Sequence, residues 1–157
     1  MSVLLKVMKY FYPPKVGQAV APIENLKFIK GESFDVPNVK QGKVTVLEHW
    51  ATWCAPCVKG IPHITEIAKR HPEVSFVGIT QEQDESVVQA FVDKMGSQMD
   101  YSVAIDANGA IKQVVKDSGG MGIPHAIVIN GKGIMTWAGH PMSPDFEAAI
   151  TDALKSE

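Results

Sequence analysis

The stretch from Lys43 to Cys57, KVTVLEHWATWCAPC, decides how this chain is read. Lys43 to Trp50 is rich in β-branched and aromatic residues, the composition of a largely buried strand. From Cys57 to His71 the apolar positions Val58, Ile61, Ile64, Ile67 and Ala68 recur at helical spacing, and Pro72 ends the pattern. Pro62 inside that run predicts a bend. Cys54 and Cys57, the two cysteines of the 157-residue chain, lie where the strand turns into the helix. A free cysteine has a pKa of about 8.5, which falls to roughly 3.5 to 7.5 at a helix N-terminus. Unpaired backbone N–H groups and the positive end of the helix dipole favour the thiolate there. Cys54 is therefore the candidate nucleophile of a cycling dithiol, and Cys57, one turn inside the helix, its more buried resolving partner. Ala55-Pro56 keeps the turn tight, and Pro56 withholds one N–H from the thiolate.

Working outward, Leu26 to Ile29 and Ser33 to Val36 flank Lys30-Gly31-Glu32 and predict a small hairpin. Val74 to Thr80 reads as a second buried strand. Asp84 caps a following helix with the stripe Val87, Val88, Phe91, Val92 and Met95, stopped by Gly96. Tyr101 to Ile105 predicts a short strand, Asn108-Gly109 a turn and Ala110 to Lys116 a helix. A glycine-rich loop, Ser118 to Gly122, precedes His125 to Ile129 and Ile134 to Ala138, which flank the hairpin signal Asn130-Gly131-Lys132-Gly133. Ser143-Pro144-Asp145 marks the start of a last helix running towards Leu154. Strand, helix and strand followed by hairpin and helix imply an α/β domain, a mixed sheet with helices on both faces.

The apolar content of 45% with 20% charged residues is that of a globular domain, and residues 16–157 are assigned to it, with 1–15 as an N-terminal extension. A net charge of -2 with dispersed Lys and Arg gives no footprint for nucleic acid or an anionic membrane. No run approaches the roughly 20 apolar residues of a membrane span. Met1 to Tyr12 is interrupted by Lys6 and Lys9 and lacks the pattern of a secretory signal, so it is expected to be retained. Leu4, Val7, Met8 and Phe11 would form one apolar stripe on a short helix, expected to be a flap docked on the domain or a frayed terminus, with a membrane-surface anchor as the alternative. Two cysteines cannot build a secreted disulfide framework, which points to a cytoplasmic setting with the pair reserved for chemistry; a monomer is expected. The same Cys-x-x-Cys spacing suits half of a zinc site. No second cysteine pair exists and the five histidines lack ligand spacing, so no metal or other cofactor is expected.

Trp50-Ala51-Thr52-Trp53-Cys54-Ala55-Pro56-Cys57, with Gly122-Ile123-Pro124 further on, resembles the thioredoxin superfamily over about Val16 to Leu154. The Thr-Trp-Cys-x-Pro-Cys form, the N-terminal hairpin and the inserted helix resemble its TlpA-like thiol-disulfide oxidoreductase, or redoxin, branch. The resemblance implies that Pro124 follows a cis peptide bond and faces the cysteines, and that Ile123 offers its backbone to an extended substrate strand. Glu48 stands where thioredoxins carry a buried Asp, which implies a proton acceptor for Cys57. The alternative is a partly solvated strand acid. His125, next to the proline, is a candidate for tuning the dithiol or substrate choice, against a structural histidine. Strand alternation puts His49 on the face opposite Glu48. Trp53, Ala55, Pro56, Ile123 and Gly139 form the candidate docking rim for a protein disulfide.

The implied function is reduction or exchange of protein disulfides, with a reductase or oxidase as redox partner. Two alternatives are a redox-inactive binding module and a peroxiredoxin-like peroxidase. The peroxidase motif would need Pro and Thr or Ser where Leu47 and Ala51 stand. Relatives of the TlpA-like branch are often exported or membrane-tethered, which makes a periplasmic or membrane-associated setting the alternative to the cytoplasm.

Overall fold

The computed structural model describes residues 2–4 and 15–156. The stripe positions Val7, Met8 and Phe11 lie outside the described residues. The strands are β1 (Leu26–Lys30), β2 (Thr45–His49), β3 (Ser75–Thr80), β4 (Ser102–Asp106), β5 (His125–Ile129) and β6 (Met135–Gly139). They form one sheet in the order β1-β4-β3-β2-β5-β6. β2 runs parallel to β3 and β3 parallel to β4, while β1, β5 and β6 pair antiparallel. The helices are α1 (Ala55–Arg70), α2 (Glu85–Met95), α3 (Ala110–Asp117) and α4 (Phe146–Lys155).

The sheet separates two apolar layers. Val46, Phe76, Val103 and Val128 face α1, α2 and α4, while Leu47, Val77, Ala104 and Ile127 face α3. Ile61, Ile64 and Ile67 of α1 are all buried, and fully burying such a side chain contributes about 1.5–3 kcal/mol. Pro62 falls on the exposed side of α1. The Asp84 carboxylate caps α2 by accepting the N–H groups of Ser86 at 3.1 Å and Val87 at 3.4 Å, and Gly96 ends it at φ +51°.

The fold class is the expected one, with two local differences. Leu26–Lys30 is a strand, but its partner is the open edge of β4 rather than Ser33–Val36. Val36 makes only an isolated bridge to Ile23. Gly31, at φ +75°, turns the chain off the sheet, and the Ser102 hydroxyl holds the turn by donating to the Glu32 carbonyl at 2.7 Å. The N-terminal hairpin is thus an edge strand followed by an irregular segment. The regular part of the last helix begins at Phe146, after a first turn in which the Ser143 carbonyl accepts the Phe146 N–H at 3.2 Å. The Ser143 Oγ accepts the Asp145 N–H at 3.2 Å, as the expected capping hydroxyl does, so the difference lies in the tighter first turn.

Gly31 tests the edge pairing. A β-carbon there would lie 2.9 Å from the Ser102 Cα, on a backbone conformation that disfavours side chains. Gly31→Ala is expected to cost about 1–3 kcal/mol in chemical denaturation. An unchanged midpoint would show that β1 and its turn are not held against β4.

Candidate active site

Cys54 is the N-cap of α1, with extended backbone at φ -90° and ψ 99°. Its sulfur accepts the Cys57 N–H at 3.3 Å, taking the place of the side-chain oxygen that usually satisfies a first-turn donor. The two residues are joined in a disulfide with Cα atoms 5.2 Å apart. Cys57 is fully enclosed, whereas Cys54 retains 5% exposure, so Cys54 is the member of the pair nearer the surface. Pro56 falls in the first turn, where its missing N–H leaves no intrahelical bond unmade.

Alternation along β2 places Glu48 on the α1 face with Val46 and Trp50. Its cross-strand neighbours are Gly78 on β3 and Ala126 on β5, two small residues that leave room for a carboxyl. A β-carbon on Gly78 would lie 3.0 Å from Trp50 Nε1 and 3.3 Å from Tyr101 Cε2, so the indole and the phenol occupy the space above it. The Tyr101 hydroxyl donates to Glu48 Oε2 at 3.4 Å. Glu48 Oε1 and Trp50 Nε1 have no hydrogen-bond partner among the described residues. Glu48 is 3% exposed, so it is not the partly solvated acid of the alternative reading. Burial pushes its carboxyl up to about 8, against the opposing effect of the Tyr101 hydrogen bond. Burial and the Glu48 charge raise the Tyr101 phenol well above its ordinary value, which keeps it a donor.

On the other side of β2 the chain enters β5 through a cis Ile123–Pro124 peptide. Ile123 is half-buried and packs against the apolar cluster that contains both cysteines. His125 pairs with His49 across β2 and β5, and both project on the α3 face, away from Glu48. The Ser118 hydroxyl gives its one proton to the Val115 carbonyl at 2.6 Å. Its oxygen therefore accepts from His125 Nε2 at 2.7 Å, which assigns the Nε2–H tautomer. Burial, with His49 and His140 adding to it, lowers the His125 pKa to about 4, so the ring is neutral at ordinary pH. Burial also lowers His49, opposed by Asp106 and by a hydrogen bond to Gln81. Gly120 has to be glycine, since a β-carbon there would sit 2.7 Å from both His125 Nε2 and Val115 Cγ1. His125 thus holds the loop before Pro124 from behind the sheet.

The residues on either side of Cys54 and just before Cys57 in the chain are apolar and exposed. Trp53 is 73% exposed, and Ala55 and Pro56 are exposed beside it. Gly139 is half-buried and pressed against its own strand neighbour, since a β-carbon would lie 2.8 Å from the Trp137 ring. Met121, in the loop before Pro124, and Met142, against Gly60 of α1, are exposed and were not among the sequence candidates. Their positions beside Pro124 and Gly139 were the available signal. Glu82 was also missed. Its carboxylate binds the backbone and hydroxyl of Thr52, two residues before Cys54. Among the described residues no group of three or more His, Cys, Asp or Glu is placed to hold a metal ion, and no helix is long and apolar enough to cross a membrane.

Residues 15–154 match the Redoxin family. The chain belongs to that family. Sporulation thiol-disulfide oxidoreductase A of Bacillus subtilis is 29% identical over 120 residues, covering 73% of this chain and 68% of that protein. The soluble secreted antigen MPT53 of Mycobacterium tuberculosis is 33% identical over 114 residues, 70% of this chain and 64% of its own length, so the chain spans just under two thirds of that relative. The crystal structure of StoA from Bacillus subtilis superposes with a TM-score of 0.62 at 26% identity, covering 92% of this chain and 100% of that one. The fold of this Redoxin is thioredoxin-like, and its paired cysteines are those of a thiol-disulfide oxidoreductase.

The raised Glu48 pKa has a stability consequence with a definite sign. Between the ordinary carboxylate value and about 8 the folded protein holds a proton that the unfolded chain has released, so stability falls as pH rises through that window. Glu48→Gln, neutral at every pH, is expected to flatten this slope in the oxidised protein, and its stability relative to wild type should increase from pH 5 to pH 8. Denaturation curves at both values check it. A pH-independent difference would place the titrating proton elsewhere.

Proposed function

We propose that this chain reduces or exchanges disulfides in protein substrates, with Cys54 attacking and Cys57 resolving. The observation that carries the reading is the sulfur-capped start of α1, where the Cys57 N–H already points at the Cys54 sulfur. After reduction, the same N–H and the helix dipole favour a Cys54 thiolate. That thiolate attacks one sulfur of a substrate disulfide, forming a mixed disulfide and expelling the other sulfur as a thiolate. Cys57 then attacks Cys54, the Cys54–Cys57 bond forms, and the second substrate thiolate leaves. Two electrons pass from the dithiol to the substrate, and a redox partner restores them. In the opposite direction the same steps oxidise a substrate dithiol.

Cys57 must lose its proton before it attacks, and Glu48 is the proposed acceptor. Its raised pKa suits the task, because the carboxylate is basic enough near neutral pH to take a thiol proton. The protonated Glu48 is then the state left after transfer. Substrate is held as an added strand on the Ile123 backbone beside Pro124, against a rim of Trp53, Ala55, Pro56, Ile123 and Gly139. Residues 16–157 form the working domain, taken as a monomer. A relative named as a soluble secreted antigen weighs towards an exported setting over the cytoplasmic one.

Reduced Cys57→Ser is expected to accumulate mixed disulfides that a non-reducing gel resolves and a reductant releases, while Cys54→Ser traps none. Cys54→Ser should also lower insulin-disulfide reduction by about three orders of magnitude. Full biological activity in Cys54→Ser would favour a binding module instead. Glu48→Gln should slow turnover near neutral pH on the order of 10²-fold, and an unchanged pH-rate profile would remove the proton-transfer role. Fractionation of the mixed-disulfide partners by compartment decides between the exported and cytoplasmic settings.

A further inference from the structure

We propose that Glu82 is a positioning residue for the attacking cysteine, bracing the corner of the chain that presents Cys54 and Trp53. The proposal rests on Cys54 being the attacking sulfur. Glu82 follows β3, where the last residue, Thr80, is fully buried. The Thr80 hydroxyl donates to Glu82 Oε2 at 2.8 Å and accepts the Glu82 N–H at 3.2 Å, which fixes the carboxylate from below. From that anchor Oε2 accepts the Thr52 N–H at 2.9 Å, and Oε1 accepts the Thr52 hydroxyl. Three donors thus converge on one carboxylate, and both threonine hydroxyl protons are committed to it.

Trp50, Ala51 and Cys54 pack into the core on either side of this corner, whereas Thr52 and Trp53 between them are not buried, so Thr52 is held by polar contacts. Trp53 points into solvent, and the turn itself is closed by the Cys54 N–H donating to the Ala51 carbonyl at 3.2 Å. Thr52 lies inside that turn, so a carboxylate that fixes both its backbone and its side chain sets the direction in which Cys54 leaves β2 and enters α1. Displacing a reacting atom by about 1 Å can cost 10²-fold in rate, so a brace two residues from the sulfur bears on catalysis without touching substrate.

Geometry also predicts which substitution Glu82 tolerates. In Glu82→Gln an oxygen in the Oε2 place still accepts from the Thr52 N–H and the Thr80 hydroxyl. The amide nitrogen in the Oε1 place donates to Thr52 Oγ1 once that hydroxyl rotates. All three contacts survive, whereas Glu82→Ala loses them and leaves the Thr52 N–H without an acceptor.

The test measures kcat and KM for insulin-disulfide reduction by the full chain, with thermal melts identifying the temperatures at which each variant is folded. Glu82→Ala is expected to lose about tenfold or more in kcat/KM, chiefly in kcat. Glu82→Gln should stay within about threefold, because hydrogen bonding rather than charge does the positioning. Thr52→Val, which keeps the backbone N–H, should fall between them, and the double variant Glu82→Ala/Thr52→Val should lose no more than Glu82→Ala alone. A folded Glu82→Ala with wild-type kcat/KM overturns the proposal, and so does a Gln variant as impaired as the Ala variant. If Glu82→Ala does not fold, Thr52→Val decides: a several-fold loss supports the brace, and wild-type kinetics refute it. Cys54→Ser, run alongside, separates the two levels, since turnover surviving in it removes the role of Cys54, while an inactive Cys54→Ser beside a fully active Glu82→Ala removes only the brace.

Discussion

The position of every group at this site follows from β2 being paired along both edges. β3 fixes its register on one side, with Glu48 beside Gly78, and β5 fixes it on the other, with Glu48 beside Ala126. A slip of one residue would exchange the faces of all its side chains, sending Glu48 to the α3 layer and Leu47 and His49 into the layer that holds Cys57. The double pairing excludes that arrangement. It also aligns the two halves of the site: His49, at the end of β2, lies opposite His125, so the chain reaches Cys54 just beyond one strand end and Pro124 just before the other. Trp50 continues the alignment past the strand, its N–H donating to the Ile79 carbonyl at 3.2 Å.

Glu48 is the place where this frame runs against stability. A carboxyl enclosed by Gly78, Ala126, Trp50 and Tyr101 has one long hydrogen bond, and an unpaired acceptor and an unpaired indole donor share the same small region. Burial without a full set of partners disfavours the ionised form, and the neutral acid lessens that cost. Local rules of burial are broken most often where a proton has to move. The glycine at position 78 belongs to the same compromise, since a side chain there would displace either the indole or the phenol that encloses the acid.

Local signals were legible and long-range choices were not. The Asp84 cap and Gly96 stop bracket α2, and Asn130-Gly131-Lys132-Gly133 joins β5 to β6, because both patterns act within one element or one turn. The strand character of Leu26–Lys30 was equally plain. Its partner was not, because composition says that a segment is extended and not which edge it will find. Ser143-Pro144-Asp145 carried the residues of a helix start, and the serine hydroxyl does accept the Asp145 N–H, but the first turn is tighter than a regular helix. Of the site, the dithiol, Pro124 and the acid at Glu48 could be read from spacing and resemblance. Tyr101, Ser118 and Glu82 could not, since each acts across a distance in sequence that only the folded register brings to contact.

The struts around the sulfur are polar for a physical reason. Trp50 and Ala51 before Cys54 are buried in the core, but the residues nearest the surface are not covered: Trp53, Met121 and Met142 all remain exposed, as the proposed attack of Cys54 on a substrate disulfide requires. Apolar packing is non-directional and works by exclusion of solvent, which is the one thing this surface must not complete by itself. Hydrogen bonds made from behind set direction without covering the sulfur. His125 on Ser118 does this for the loop that carries Ile123 and Pro124, with Gly120 giving the backbone room to pass. Glu82 on Thr52 is placed to do the same for the corner that carries Cys54. On the proposed function, an open apolar rim on half-buried polar anchors would leave the completion of the packing to the bound substrate, so that affinity and access to the disulfide would come from the same exposed surface.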